Sequence, residues 1–200
     1  MGVNWPSEPH VLSDGVVSLR TPDESDIDDI TAGAQDPDVQ KFTMVPRPYL
    51  RVHAEGFVEA HNAGAWGMVA PRLGHEGAQP RLNAAFVITG LDGDFRGVIG
   101  LHDVDPHNAT GEVGYWLGPH ARGVGSMSRA LGLVLAWAFD VVGLTSVHWN
   151  AAQENVASWL VAQRHGFVVD GVTTCGRPGD VPLEAWAATL TRERFGASAG

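Results

Sequence analysis

The 200-residue sequence predicts one α/β (α+β) domain built on a mixed, mostly antiparallel sheet. Three observations lead there. Residues 83–117 hold three apolar, β-branched segments joined by short turns, which read as an antiparallel meander. Helical periodicities flank that block, at 21–63 before it and 126–165 after it. No linker, internal repeat or low-complexity run divides the chain, so the domain is expected to fill residues 1–200, with a core over about 14–193 and short flexible tails.

Taken in order, Val16–Arg20 (VVSLR) reads as a first strand. Thr21 or Ser25 then caps a helix that carries acids in its first turn, runs to about Gln35 and is stopped by Asp36-Pro37. Leu50–Ala63 is a second helix with Val52, Phe57, Val58 and His61 on one side, and 64–81 is a glycine- and proline-rich loop. Asn83–Thr89, Gly97–Asp105 and Gly111–Leu117 form the meander, the first turn carrying the Asp92-Gly93 hairpin signal. A helix follows from Met127 to Val142, then a strand at Thr145–Asn150 and a short helix at Asn155–His165 closed by Gly166. Phe167–Thr174 and Leu183–Thr191 finish as strands.

Composition narrows the function. Hydrophobic residues at 44% and charged residues at 18% suit a globular protein. The longest apolar run, Leu131–Val142, is broken by Asp140 and falls short of the roughly 20 residues a membrane span needs. The N-terminus lacks a basic cluster followed by an apolar run, so no signal peptide is expected. A lone cysteine, Cys175, cannot make an internal disulfide, which together with these points suggests a reducing, cytoplasmic setting. The histidines show no metal-ligand spacing, so no metal is expected. A net charge of −10 argues against nucleic-acid binding; it would attract cationic amines, or serve only solubility. Trp66, Trp116, Trp149, Trp159 and Trp186 are expected to pack in the core or on the sheet.

The chemistry concentrates in "ARGVGSMSRAL", residues 121–131. Gly123 and Gly125 let backbone approach a ligand without an intervening Cβ. The first amides of the following helix lack intrahelical partners, and its dipole favours an anion there. Arg122 and Arg129 add positive charge, with no acid between Arg122 and Phe139. Spacing alone leaves two readings, a plain capping turn or a phosphate cradle. The lysine of a P-loop is missing from the segment, and Ser128 replaces the third glycine of a dinucleotide fingerprint.

The stretch "GYWLGPHARGVGSMSRAL" resembles the acetyl-CoA loop of the GCN5-related N-acetyltransferases (GNATs), Gln/Arg-x-x-Gly-x-Gly/Ala, with Arg122 first, Gly125 fourth and Met127 in the last place. Met127 departs from the general signature but matches the RimJ/RimL-like branch, which acetylates N-termini of ribosomal proteins. "ENVASWLVAQRHGF" is similar to that branch's Asn-x-x-Ser…Gly-Phe helix at Asn155, Ser158, Gly166 and Phe167, and "VVSLRTPDESDIDDI" resembles its opening. The resemblance covers residues 16–192 and implies the GNAT fold, with about seven strands, about four helices and a splayed strand pair that admits CoA.

It further implies acetyl transfer from acetyl-CoA to a primary amine by direct attack in a ternary complex. Amides of Arg122, Gly123, Val124, Gly125, Ser126, Met127 and Ser128 would hold the pyrophosphate, and the backbone of Tyr115, Trp116 and Leu117, with Asn155, the pantetheine arm. Ser158 stands where that branch keeps a group for the departing thiolate; Ala162 stands where other GNATs place a tyrosine. For the base, strand alternation puts Glu112 on one face with Gly114 and Trp116, making it the first candidate; His102 and Asp103 are weaker ones. A solvated or substrate-binding carboxylate is the alternative for Glu112, and a helix cap for Asn155. Expected partners are the amine acceptor, a protein N-terminus among the candidates, and a second copy of the chain as a homodimer. A non-catalytic acyl-CoA-binding protein on the same fold is the competing class.

Overall fold

A computed structural model describes residues 3–66, 81–177 and 179–197. Eight strands form one sheet in the order β1-β2-β3-β4-β5-β6-β8-β7. They are β1 (Leu12–Ser13), β2 (Val17–Arg20), β3 (Leu82–Gly90), β4 (Phe95–Asp105), β5 (Thr110–Leu117), β6 (Ser146–Ala152), β7 (Val168–Cys175) and β8 (Leu183–Thr191). The expected meander is β3-β4-β5, and every neighbouring pair is antiparallel except β5 and β6. Two-residue β1 was not anticipated; it is too short to carry a period.

Helices cover both faces, as the near-continuous burial along β3 and much of β4 requires. α1 (Ile27–Ala34) and α3 (Arg51–His61) pack on one face, where Ile27, Ile30, Ala34, Ala54 and Val58 meet Val87, Phe95 and Val98. α4 (Ser126–Ala136), continued by a π-helical turn at Trp137–Val142, covers the other with Leu131, Val134 and Leu135 over Phe86, Ile99, Leu101 and Val113. α5 (Val156–Arg164) precedes β7, and α6 (Arg192–Ala197) ends the described chain; the latter was not expected.

Several local expectations are corrected. Neither Thr21 nor Ser25 is the cap: Asp23, accepting from Ser25 N, caps a 3-10 turn at Glu24–Asp26 that leads into α1. Asp36-Pro37 ends α1 but also starts α2 (Pro37–Phe42), because Asp36 Oδ1 accepts from Asp38 N and Val39 N, both at 3.1 Å, and Pro37 suits the first turn. In α3, Ala54 and Val58 face the core while Val52 is exposed. Most of the loop expected at 64–81 lies outside the described residues.

Candidate active site

The site begins where the sheet fails to stay closed. β5 and β6 pair in parallel through Thr110↔Ser146, Gly111↔Val147 and Glu112↔His148, and then diverge. β5 continues to Leu117 and β6 to Ala152 with no further pairing between them, so the β5 edge beyond Glu112 presents backbone groups to an open wedge. Tyr115 lies in that wedge and donates its O–H to the Ser158 carbonyl of α5 at 3.1 Å. Burial pushes the Tyr115 phenol up to about 12, against opposing hydrogen bonds from the Ser158 and Trp149 side chains, and keeps it a donor at neutral pH.

A cleft of about 520 Å³ opens from the wedge. It gathers Tyr115, Trp116, Leu117, Arg122, Gly123, Gly125, Ser126, Met127, Ser128, Asn155 and Ser158, with Asp38, Val39 and Phe42 of α2 opposite. Most of the predicted cofactor set is therefore one surface. The Val124 side chain is an exception, being exposed, and Met127 is mainly buried in the core.

The loop before α4 has the geometry of a cradle. Gly123 and Gly125 sit at φ +78° and +83°, and a Cβ on either would meet nothing within 4 Å. Glycine is thus used for its left-handed backbone, which turns the chain into α4. Among the described residues, none of the backbone N–H groups from Gly123 to Ser128 donates to a protein acceptor. These amides and the α4 dipole suit a phosphate group.

The arginines behave differently from expectation. Arg122 binds Asp36 and, at 3.0 Å, Asp38, while also donating to the Leu117 carbonyl at 3.1 Å. Burial opposes ionisation of Asp36, but the Arg122 hydrogen bond and the α2 amides outweigh it and hold the carboxyl below its ordinary range. Arg122 is therefore a strut tying β5 to the cap of α2 rather than a free charge. Arg129 pairs with Asp14 at 2.8 Å. Sequence reading missed Arg96, whose Nη1 donates to the buried Ser126 Oγ at 3.2 Å, and His165, whose Nε2 lies 3.1 Å from Ser128 Oγ. Both act across long sequence separations that no local pattern shows.

On α5, Asn155 Oδ1 accepts from Ser158 N at 3.2 Å, so Asn155 is the helix cap. Ser158 lines the cleft, and its side chain is within hydrogen-bonding reach of the Tyr115 hydroxyl. Ala162 is fully buried, leaving no side chain there to reach a ligand.

Glu112 stands apart from these residues. It lines a second cavity of about 260 Å³ at the apex of the split, with His148, Asn150, Asp103, Asp170 and Thr189. His102, opposite Glu112 on β4, leans over Gly114 instead; a Cβ on Gly114 would lie 3.1 Å from its Nε2. β4 bulges after His102, and Asp103 sits at φ +51° with its N–H donating to Asn83 Oδ1 at 2.9 Å. Such an outlier beside a cavity is a mark of functional sites. No group of three or more His, Cys, Asp or Glu is placed to hold a metal among the described residues, and no helix there is long and apolar enough to cross a membrane.

Sheet and cleft together define a protein that can take an elongated anionic ligand edge-on between two diverging strands. Residues 17–168 match the model of the acetyltransferase (GNAT) domain, and the chain belongs to that family. YdaF of Bacillus subtilis (strain 168) is 35% identical over 80 residues, 40% of this chain and 44% of that protein. The ribosomal-protein-serine acetyltransferase of Escherichia coli (strain K12) is 33% identical over 75 residues, 38% of this chain and 42% of that protein. The similarity thus spans less than half the length of either curated relative. Among solved structures, Mycobacterium smegmatis RimJ in complex with CoA-disulfide superposes with a TM-score of 0.73 at 21% identity, covering 100% of this chain and 98% of that one. Its fold is shared.

Proposed function

We propose that the protein transfers the acetyl group of acetyl-CoA to a primary amine, by direct attack in a ternary complex, and that its acceptor is the α-amine of a protein or peptide. The observation carrying this reading is the wedge between β5 and β6, continuous with the unpaired amides of residues 123–128. Those amides suit the pyrophosphate, and the open edge of Tyr115–Leu117 suits the pantetheine amides as an added strand would. Asn155 supports this edge indirectly, by fixing the start of α5.

The chemistry follows from the groups at the apex. An ordinary amine is mostly protonated at neutral pH, so a base must free its lone pair before attack. Glu112 faces the second cavity and takes that role. The amine nitrogen bonds to the thioester carbon, the C–S bond breaks, and the Ser158 hydroxyl donates a hydrogen bond to the departing sulfur. A backbone N–H of the diverging β5 stabilises the intermediate oxyanion. Support for a protein acceptor comes from the ribosomal-protein relative, while the net charge of −10 favours cationic acceptors in general.

Release of free thiol from acetyl-CoA across a panel of α-amine peptides, polyamines and aminoglycosides tests this. Turnover with peptides supports the reading; tight CoA binding without turnover on any amine points to a non-catalytic acyl-CoA-binding protein. Glu112→Gln lowers turnover at neutral pH by about 10²-fold and loses less at high pH, where the amine deprotonates unaided. An unchanged pH profile removes Glu112 as the base.

A further inference from the structure

His148 occupies a place that the proposed mechanism has not yet used. Four side chains run in register across one face: His102↔Glu112, Glu112↔His148 and His148↔Thr189 are successive partners on β4, β5, β6 and β8. Val147 and Trp149 on either side of His148 are buried in the core, so alternation turns His148 towards the cavity that it lines with Glu112. The pairing Glu112↔His148 is also the last before the strands diverge. His148 Nδ1 lies 3.1 Å from Thr189 Oγ1, which fixes the ring and leaves Nε2 with no protein partner among the described residues.

We propose that His148 is a relay residue for the acetyl transfer, taking from Glu112 the proton that Glu112 removes from the acceptor ammonium. This rests on the reading of Glu112 as base. In this relay Thr189 Oγ1 accepts from His148 Nδ1–H, and Nε2 holds the lone pair that receives the proton. The ammonium gives one proton to the Glu112 carboxylate, which passes it to Nε2 and is a base again. The free amine then attacks; the N–C bond forms, the C–S bond breaks, and the second nitrogen proton reaches the sulfur through Glu112. The products are the amide, CoA thiol and an imidazolium that returns its proton to water. A threonine-held imidazole beside the carboxylate thus gives the proton a way out between turnovers. Charged groups bordering the same space are Arg81, Asp103 and Asp170; Arg81 is held by Asp105 at 2.6 Å, and His102 lies over Gly114.

The test compares pH profiles of kcat and KM for the wild type, His148→Asn, Glu112→Gln, their double variant and Thr189→Val. Asparagine can reproduce the Nδ1 hydrogen bond but cannot titrate. The relay predicts that His148→Asn lowers kcat about tenfold near neutral pH, leaves KM for the amine close to wild type, and recovers at high pH. The double variant is then no slower than the slower single variant, as expected for residues acting as a unit. Thr189→Val gives a smaller loss in the same direction. Multiplying losses, or an effect confined to KM, overturn the relay and leave the base assignment standing. If the wild type acetylates no amine, the proposed function falls, and NMR titration of the His148 ring decides the pairing alone. A curve that moves on Glu112→Gln supports coupling of the two groups, and an unmoved curve overturns it.

Discussion

Gly33, near the end of α1, is where the helix touches the wall of the cofactor cleft, and changing it to alanine tests that contact. A Cβ built on Gly33 lies 2.5 Å from Trp116 Cζ3 and 2.9 Å from Cη2. Carbon atoms in good contact sit about 3.5–4.0 Å apart, so the indole must retreat by about 1 Å or more. Overpacking of that kind costs about 1–3 kcal/mol, against at most about 1 kcal/mol gained from replacing helical glycine by alanine. Gly56 in α3 supplies the control, since its added Cβ meets nothing within 4 Å and only the helix gain remains. Thermal unfolding should therefore separate the two: Gly33→Ala lowers Tm by up to about 8 °C and Gly56→Ala raises it by about 1–4 °C, using about 2–4 °C per kcal/mol for a chain of this size. Because Trp116 lines the cleft, Gly33→Ala also raises KM for acetyl-CoA severalfold while Gly56→Ala leaves it unchanged. In a Trp116→Phe background the penalty shrinks or reverses, as a double-mutant cycle would show. A Gly33→Ala variant as stable as Gly56→Ala, with ordinary KM, would refute the packing argument.

Other consequences are independent of that contact. Gly125→Ala meets no clash but must hold φ +83°, which costs about 1–2 kcal/mol; denaturant unfolding should show that loss and kinetics a raised KM for acetyl-CoA. On the role proposed for Ser158, Ser158→Ala removes a hydrogen bond to a developing thiolate, worth about 1.5–3 kcal/mol, and so lowers kcat by about 10–10² with little change in Tm. Hydrogen bonds from Asn108 N–H foremost, then from His107 N–H, Arg81 and the Asn108 side chain, hold the Asp105 carboxyl well below the usual carboxylate range. Its stabilisation is therefore full above the unfolded-state value of about 3.9 and is lost as pH falls below it. Asp105→Asn should be less stable at pH 7, with the gap closing below about pH 4 in urea unfolding.

Much of this arrangement is legible in sequence, for identifiable reasons. The meander shows because its strands are apolar, β-branched runs punctuated by Asp92-Gly93 and Pro106, and the α4 cradle shows because only glycine serves at residues 123 and 125. What escapes is tertiary. Arg122 looks like a ligand for phosphate until Asp36 and Asp38, far away in sequence, claim it. Asp36-Pro37 reads as a stop signal although the same pair starts α2, since aspartate caps and proline opens helices as well as ending them. His148 hides in a strand recognised for its apolar residues; its meaning appears only when β5 and β6 come into register.

The central claim is that acetyl-CoA enters the β5–β6 wedge and gives its acetyl group to an amine at the apex. The most direct measurement is the mass of an acceptor peptide after incubation with acetyl-CoA and the protein, with fragmentation to locate the change. The account predicts one acetyl group on the α-nitrogen, an equal amount of free CoA, and loss of both in Glu112→Gln at neutral pH. Peptides and amines that all remain unmodified while the protein binds CoA tightly would contradict it.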